Sequence, residues 1–161
     1  MPKQLRLVVV AVLVIAAVVA AVLFSGQDNV SMPKQVCGPY RNDKAVQIGS
    51  TQIKTEVASA DAERAKGLGG RPCIESDRGM LFVFDKPGRY PFWMKDMRFP
   101  IDIVWISPNH RVVGLEVDVL PSSFPDRFVN KDEPAQYVLE LQANRAKDLK
   151  IGLGTPVDLG L

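Results

Sequence analysis

Histidine is almost missing from this chain: His110 is the only one in 161 residues, and Cys37 and Cys73 are the only cysteines. These shortages exclude whole chemistries. A Ser-His-Asp hydrolase would have to be built on His110, which sits in a Ser107-Pro108-Asn109-His110 turn that reads as solvated. No serine stands in a nucleophile elbow either. A zinc centre is unsupported, since neither cysteine has a second cysteine or a histidine at ligand spacing. Met80, Met94 and Met97, without such neighbours, read as gap-filling core residues rather than soft metal ligands. No metal and no cofactor is expected.

A surplus of one charge is lacking as well. Twenty Lys and Arg face eighteen Asp and Glu, interleaved along the chain, for a net charge of +2. A nucleic-acid binder concentrates basic charge on one face, so that class of partner is not expected. Gly67-Leu68-Gly69-Gly70 has neither the Lys-Ser/Thr ending of a phosphate loop nor the strand–glycine–helix order of a dinucleotide site. No internal repeat or low-complexity tract is visible.

What the chain does have begins at its N-terminus. Lys3 and Arg6 precede an unbroken apolar run from Leu7 to Phe24. At ~1.5 Å per residue such a run spans about 27 Å as a helix, close to the hydrocarbon thickness of a bilayer. Signal-peptide cores are shorter, ~7–15 residues, and end in a small-x-small site. Here Leu23-Phe24 puts bulky residues at that point, and no cysteine is near for lipid attachment. Residues 1–24 are therefore read as a membrane anchor or uncleaved signal. A cleaved signal, which would leave the domain secreted, and a buried core helix are the alternatives. Positive charge before the run keeps the N-terminus cytoplasmic and sends the domain across, as a single-pass protein of the cell membrane. In that oxidising setting Cys37 and Cys73 are a candidate disulfide, with two free thiols the alternative.

Residues 25–43 read as a polar linker and residues 44–161 as a single β-rich domain, as the length allows. Val46-Gln47-Ile48 and Gln52 to Val57 alternate around Gly49-Ser50, predicting a hairpin. Ser59 or Asp61 is expected to cap a short helix, Ala60 to about Lys66, that Gly67 ends. Further strands are expected at Gly79–Phe84, closed by a turn at Asp85-Lys86-Pro87-Gly88, and at Tyr90–Lys95, Ile101–Ile106, Arg111–Val119 and Tyr137–Leu141. A helix near Ala143–Lys150 and a strand around Pro156-Val157-Asp158 complete the order. The fold class is α+β: a compact, mostly antiparallel, barrel-like or strongly curved sheet with two short helices, preceded by an N-terminal transmembrane helix.

Several motifs resemble a known family. Glu63-Arg64-Ala65-Lys66-Gly67-Leu68 with Arg71, Arg78-Gly79-Met80-Leu81-Phe82-Val83-Phe84, Phe92-Trp93-Met94-Lys95, Pro100-Ile101-Asp102-Ile103-Val104-Trp105-Ile106 and Tyr137-Val138-Leu139-Glu140-Leu141 occur in the order and spacing of the domain of unknown function 192 family. The resemblance runs from about Val46 to Leu159. It departs at Asp96-Met97, where the family tends to have Asn-Thr, at Gly69 and Gly70, where a Met is usual, and at Asn144, where a Gly is usual. It implies a small β-rich barrel with a helix, commonly secreted or membrane-tethered. It implies no reaction, cofactor or substrate.

The residues themselves offer one candidate site. Alternation puts Ile101, Ile103 and Trp105 on one strand face and Asp102, Val104 and Ile106 on the other, so Asp102 is a carboxylate between two apolar faces. A buried charge needs a partner, and Lys95, Arg64 or Arg71 could supply it. Either these residues form a polar ligand site at the barrel mouth or they form an internal salt bridge that fixes loops. Phe92 and Trp105 read as core and Trp93, on the opposite face from Phe92, as a surface contact. Arg64, Arg71, Trp93, Lys95 and Asp102 are thus the candidate ligand-binding residues, and no catalytic residue is proposed. The reading is a membrane-anchored, extracytoplasmic, non-catalytic binding or accessory module of the cell envelope, with an envelope ligand or a protein partner. One alternative is a carboxylate-dependent hydrolase of envelope glycans or peptides, its acids drawn from Asp102, Glu116, Asp118 or Glu140. Another is a partner-docking structural module, which an exposed apolar patch around Trp93 would support.

Overall fold

The computed structural model describes residues 36–161. The apolar run and its reading as a transmembrane helix lie outside these residues. Among the described ones, no helix is long and apolar enough to cross a membrane.

Alternating and apolar segments become seven strands: β1 (Lys44–Ile48), β2 (Thr51–Ala58), β3 (Arg78–Gly88), β4 (Ile101–Ile106), β5 (Val112–Val119), β6 (Ala135–Gln142) and β7 (Val157–Asp158). Two short helices join them, α1 (Asp61–Lys66) between β2 and β3, and α2 (Arg145–Asp148) after β6. The sheet order is β5-β4-β6-β3-β2-β1-β7. Every pairing is antiparallel except β2 with β3, which run parallel because α1 carries the chain back between them. The result is a curled half-barrel of seven strands with two short helices.

The curl closes at one end. Arg111, just before β5, bridges Pro156, just before β7, and Val157 donates its N–H to the His110 carbonyl at 2.9 Å. One sheet face is thereby enclosed. Val46, Val112 and Val157, from strands at opposite edges, meet Leu81, Val104 and Leu139 in one apolar cluster. The other face packs Met80, Phe82, Ile103, Trp105 and Val138 against Leu68, Phe92 and Met94 from the connecting segments. β4 is buried at all six positions because both its faces are covered. Its alternation sorts as read: Ile101, Ile103 and Trp105 on the second face, Val104 and Ile106 on the first.

Three local expectations need correcting. Tyr90–Lys95 is not a strand; only Phe92 pairs, in an isolated bridge with Phe128. Asp85-Lys86-Pro87-Gly88 does not end β3, which runs on to Gly88 past an irregularity in its pairing with β6. α1 takes no side-chain cap from Ser59 or Asp61. Its N-cap is Ala60, and Glu63 reaches back to accept the N–H groups of Ser59 and Ala60 at 3.1 Å each. Those donors hold the exposed Glu63 carboxyl below its ordinary pKa.

Residues 36–43, read as the end of the linker, lie on the body of the domain. Cys37 is bonded to Cys73. The Tyr40 ring lies under the guanidinium groups of Arg78, at 4.2 Å, and Arg71, at 5.6 Å. Arg41 donates to the Val57 carbonyl at 2.6 Å and pairs with Asp43 and Glu63.

Candidate functional site

A cavity of about 330 Å³ opens on the second sheet face, between α1 and the 90–97 loop. Phe82 and Phe84 of β3 form one wall. They point that way because the strand alternates, and Phe84 is only half-buried because its neighbours stop short of covering it. Tyr90 stacks on Phe84, with centroids 3.5 Å apart and planes 7° from parallel, and Phe92 meets Phe82 edge-on at 4.9 Å. Phe92 and Phe128 exchange both backbone hydrogen bonds at 2.8 Å, which pins the loop without a strand. Gly67, at φ +49, turns the chain out of α1 over this wall. A Cβ there would meet Phe82 Cζ at 3.3 Å and Glu140 Oε2 at 3.9 Å.

Glu140 lies at the base of the cavity. It occupies the middle of β6, across from Met80 on β3 and Ile103 on β4, so its side chain emerges among apolar neighbours. It is 5% exposed, and its Oε2 has no hydrogen-bond partner among the described residues. Burial pushes its carboxyl up to about 8, since the charged form loses its hydration with nothing to replace it. At neutral pH the group is therefore mainly a neutral acid, able to donate one hydrogen bond and accept others.

The rim is cationic. Arg64 is held to the fold, donating to the Ser59 and Val83 carbonyls, pairing with Asp61 and lying 5.2 Å over the Phe84 ring. Arg127 lies 4.6 Å over the Trp93 ring. Lys66 and Lys95 are exposed and have no ion-pair partner among the described residues. Beside this opening is a second, more polar cavity of about 550 Å³. It shares Ala65, Lys66, Gly69, Lys95 and Met97 with the first and adds Gly70, Asp96 and Arg98. Among the described residues no three His, Cys, Asp or Glu side chains gather closely enough to hold a metal ion.

The candidate residues read from sequence therefore divide. Arg64, Trp93 and Lys95 line the cavity. Trp93 is half-buried beneath Arg127, and both it and Phe92 line the cavity. Arg71 lies outside the lining, where it makes a two-pronged pair with the buried Glu56 at 2.6 and 3.0 Å. Asp102 also lies outside and meets none of Lys95, Arg64 or Arg71. It is fully buried and accepts three backbone N–H groups, from Asp118 and Asn144 at 2.9 Å and from Ala146 at 2.7 Å. Glu140, one of four candidate acids of the hydrolase alternative, belongs to the cavity, and Arg127, outside every candidate set, joins it. For Glu140 a signal existed, a lone acid in the apolar run Val138 to Leu141; for Arg127 none did.

The family model DUF192, described as an uncharacterized ACR, matches residues 44–159. Two solved structures are similar. One is a protein of unknown function from Novosphingobium aromaticivorans DSM 12444, 28% identical, with a TM-score of 0.66 over 71% of this chain and 83% of that one. The other, from Sinorhizobium meliloti 1021, is described as a proposed transcription regulator. It is 27% identical, with a TM-score of 0.68 over 77% of this chain and 100% of that one. No curated protein matches the chain.

Proposed function

The chain belongs to the uncharacterised DUF192 family, and from that premise we propose that it is a non-catalytic binding module of the cell envelope. Its N-terminal apolar run holds it at the membrane, with the domain outside the cytoplasm, and the cavity beneath α1 takes a small, partly apolar molecule. The observation that carries this reading is Glu140. An unpartnered carboxyl among Met80, Ile103 and Phe82 destabilises the fold relative to a leucine of similar size. It does so at the base of an open aromatic cavity, where few polar groups among many apolar ones are what a small-molecule site requires.

Other readings draw less support. Paired-carboxylate hydrolysis needs two acids facing one opening; Glu140 is the one acid lining this cavity, Asp96 lines only the adjoining polar opening, and both Asp102 oxygens are occupied elsewhere. The docking reading looked to an exposed patch at Trp93. The exposed large apolar side chains include Val117, Leu120 and Phe124, in and after β5. The description of the Sinorhizobium protein would suggest work on DNA, against which the interleaved charge of this chain speaks.

The test is a thermal-shift screen of the full chain against envelope glycans, peptides and small organic acids. A ligand at ~100 times its Kd adds about 2.7 kcal/mol, a rise of several degrees in Tm. The expected hit disappears in Trp93→Ala. A hit that survives both Trp93→Ala and Phe84→Ala would place the ligand elsewhere and end this reading. Protease accessibility of the domain in intact spheroplasts tests the location: protection would contradict it.

A further inference from the structure

Resting on that binding reading, we propose that the two adjoining cavities form one site for an amphipathic anion, with an aryl or alkyl body among the aromatic rings and a carboxylate or phosphate head in the polar cavity. Five shared residues set the two openings side by side, within reach of one molecule. Their chemistries differ sharply. The inner one is walled by Phe82, Phe84, Tyr90, Phe92 and Trp93. The outer one presents Lys66, Lys95 and Arg98 against a single acid, Asp96.

None of those three cations has an ion-pair partner among the described residues, a property they share with Arg127 and several other surface cations; what sets them apart is that they line one opening. With three cations to one acid, the opening carries a local positive surplus although the chain as a whole is nearly balanced. A carboxylate or phosphate held by two ammonium groups and a guanidinium gains charge-assisted hydrogen bonds there. An amine would have to pass the same cations. At the inner end, Glu140 is 95% buried with Oε2 unpartnered, which suits a polar atom on the body of the ligand. In its neutral form it does not repel an anion. The other charged or titratable groups lining this cavity are Arg64 and Lys66 of α1, Tyr90 and Lys95 of the loop, and Arg127, and the one further acid of the joined site is Asp96 in the outer opening.

The experiment uses four probes that share one body: 4-phenylbutyrate, 4-phenylbutyl phosphate, 4-phenylbutan-1-ol and 4-phenylbutan-1-amine. Each is titrated into the full chain with tryptophan fluorescence as readout, and Trp93→Phe assigns the signal to the cavity. Both anions are expected to bind at least about tenfold tighter than the alcohol, equivalent to ~1.4 kcal/mol. In the double variant Lys66→Gln, Lys95→Gln that advantage, read as the ratio of the alcohol's Kd to each anion's, is expected to disappear; both lysines are exposed, so the fold is not at stake. Phosphate ahead of carboxylate points to a phosphorylated ligand or lipid headgroup, and the reverse order to a free organic acid; either supports the class. If the alcohol matches the anions, or the amine binds tightest, the class is wrong and the binding reading survives. If no probe of any charge perturbs Trp93, the binding reading falls with it.

Discussion

Ala146 donates its backbone N–H to Asp102 Oδ2 at 2.7 Å, across 44 residues of chain. The other oxygen, Oδ1, accepts from Asp118 and Asn144, both held in the left-handed conformation at φ 56 and 66. One carboxylate therefore fixes the end of β5 and the first turn of α2, and three amide donors replace the cation that a buried acid otherwise needs. Asn144 stands where the resembled family usually has glycine. Asparagine is among the side chains that tolerate this conformation best.

Replacing Asp102 by Asn turns one acceptor into an NH2 group facing an N–H donor. The expected loss is about 3 kcal/mol in urea unfolding, the scale of breaking charge-assisted bonds in a buried site. A loss under ~1 kcal/mol would show that the clamp is not needed. The folded variant should bind cavity ligands as the parent does.

Glu140 gives stability a pH dependence of predictable sign. Its folded pKa, about 8, lies above the ordinary 4.5, so the folded state holds a proton that the unfolded state releases. Its contribution is fully present below about pH 4.5 and declines as pH rises to about 8, beyond which it is flat. Glu140→Gln removes this slope, so the variant should gain on the parent between pH 5 and 9 and exceed it at alkaline pH by a few kcal/mol. Parallel urea midpoints across that range would contradict the assignment.

The Cys37–Cys73 bond closes a loop with a sequence separation of 36. Loop-closure entropy puts its contribution at about 3–4 kcal/mol. Cys37→Ser with Cys73→Ser should lose that much in denaturant titrations under oxidising conditions and nothing further on adding reductant. Neither cysteine lines the aromatic cavity, so binding should be retained.

Arg71→Ala should cost about 2 kcal/mol, because Glu56, 6% exposed, loses its two-pronged partner and keeps only Arg41 at 4.0 Å. Ligand affinity should be unchanged. A drop in affinity without a drop in stability would return Arg71 to the site.

Much of this was legible from sequence, and the failures share a cause. Alternation located β4 and both its faces, because a strand buried on two sides has to be apolar on both. It could show that Asp102 was buried but not what met it, since its partners are backbone amides delivered by β5 and α2. Tyr90–Lys95 alternates like a strand, yet Phe128 offers it a single bridge. Asp85–Gly88 carries turn residues, but β6 pairs again with Gly88. Trp93 and Lys95 were found because aromatic and basic residues stand out in a loop. Glu140 stands among the candidate acids in sequence but not among the binding residues, because only the assembled sheet shows β6 flanked by β3 on one side and β4 on the other, with this acid turned into the cavity.

The bond between Cys37 and Cys73 also decides where mechanical load travels. Tension applied ahead of residue 36 enters at Cys37, crosses to Cys73 and continues toward β3, bypassing everything from residue 38 to residue 72. The bypassed stretch contains β1, β2, α1 and the Lys66 side of the cavity rim. A domain pulled by its N-terminal end thus takes the load at Cys73, and force reaches the cavity through its β3 and 90–97 wall without first passing along the strands and helix that precede it.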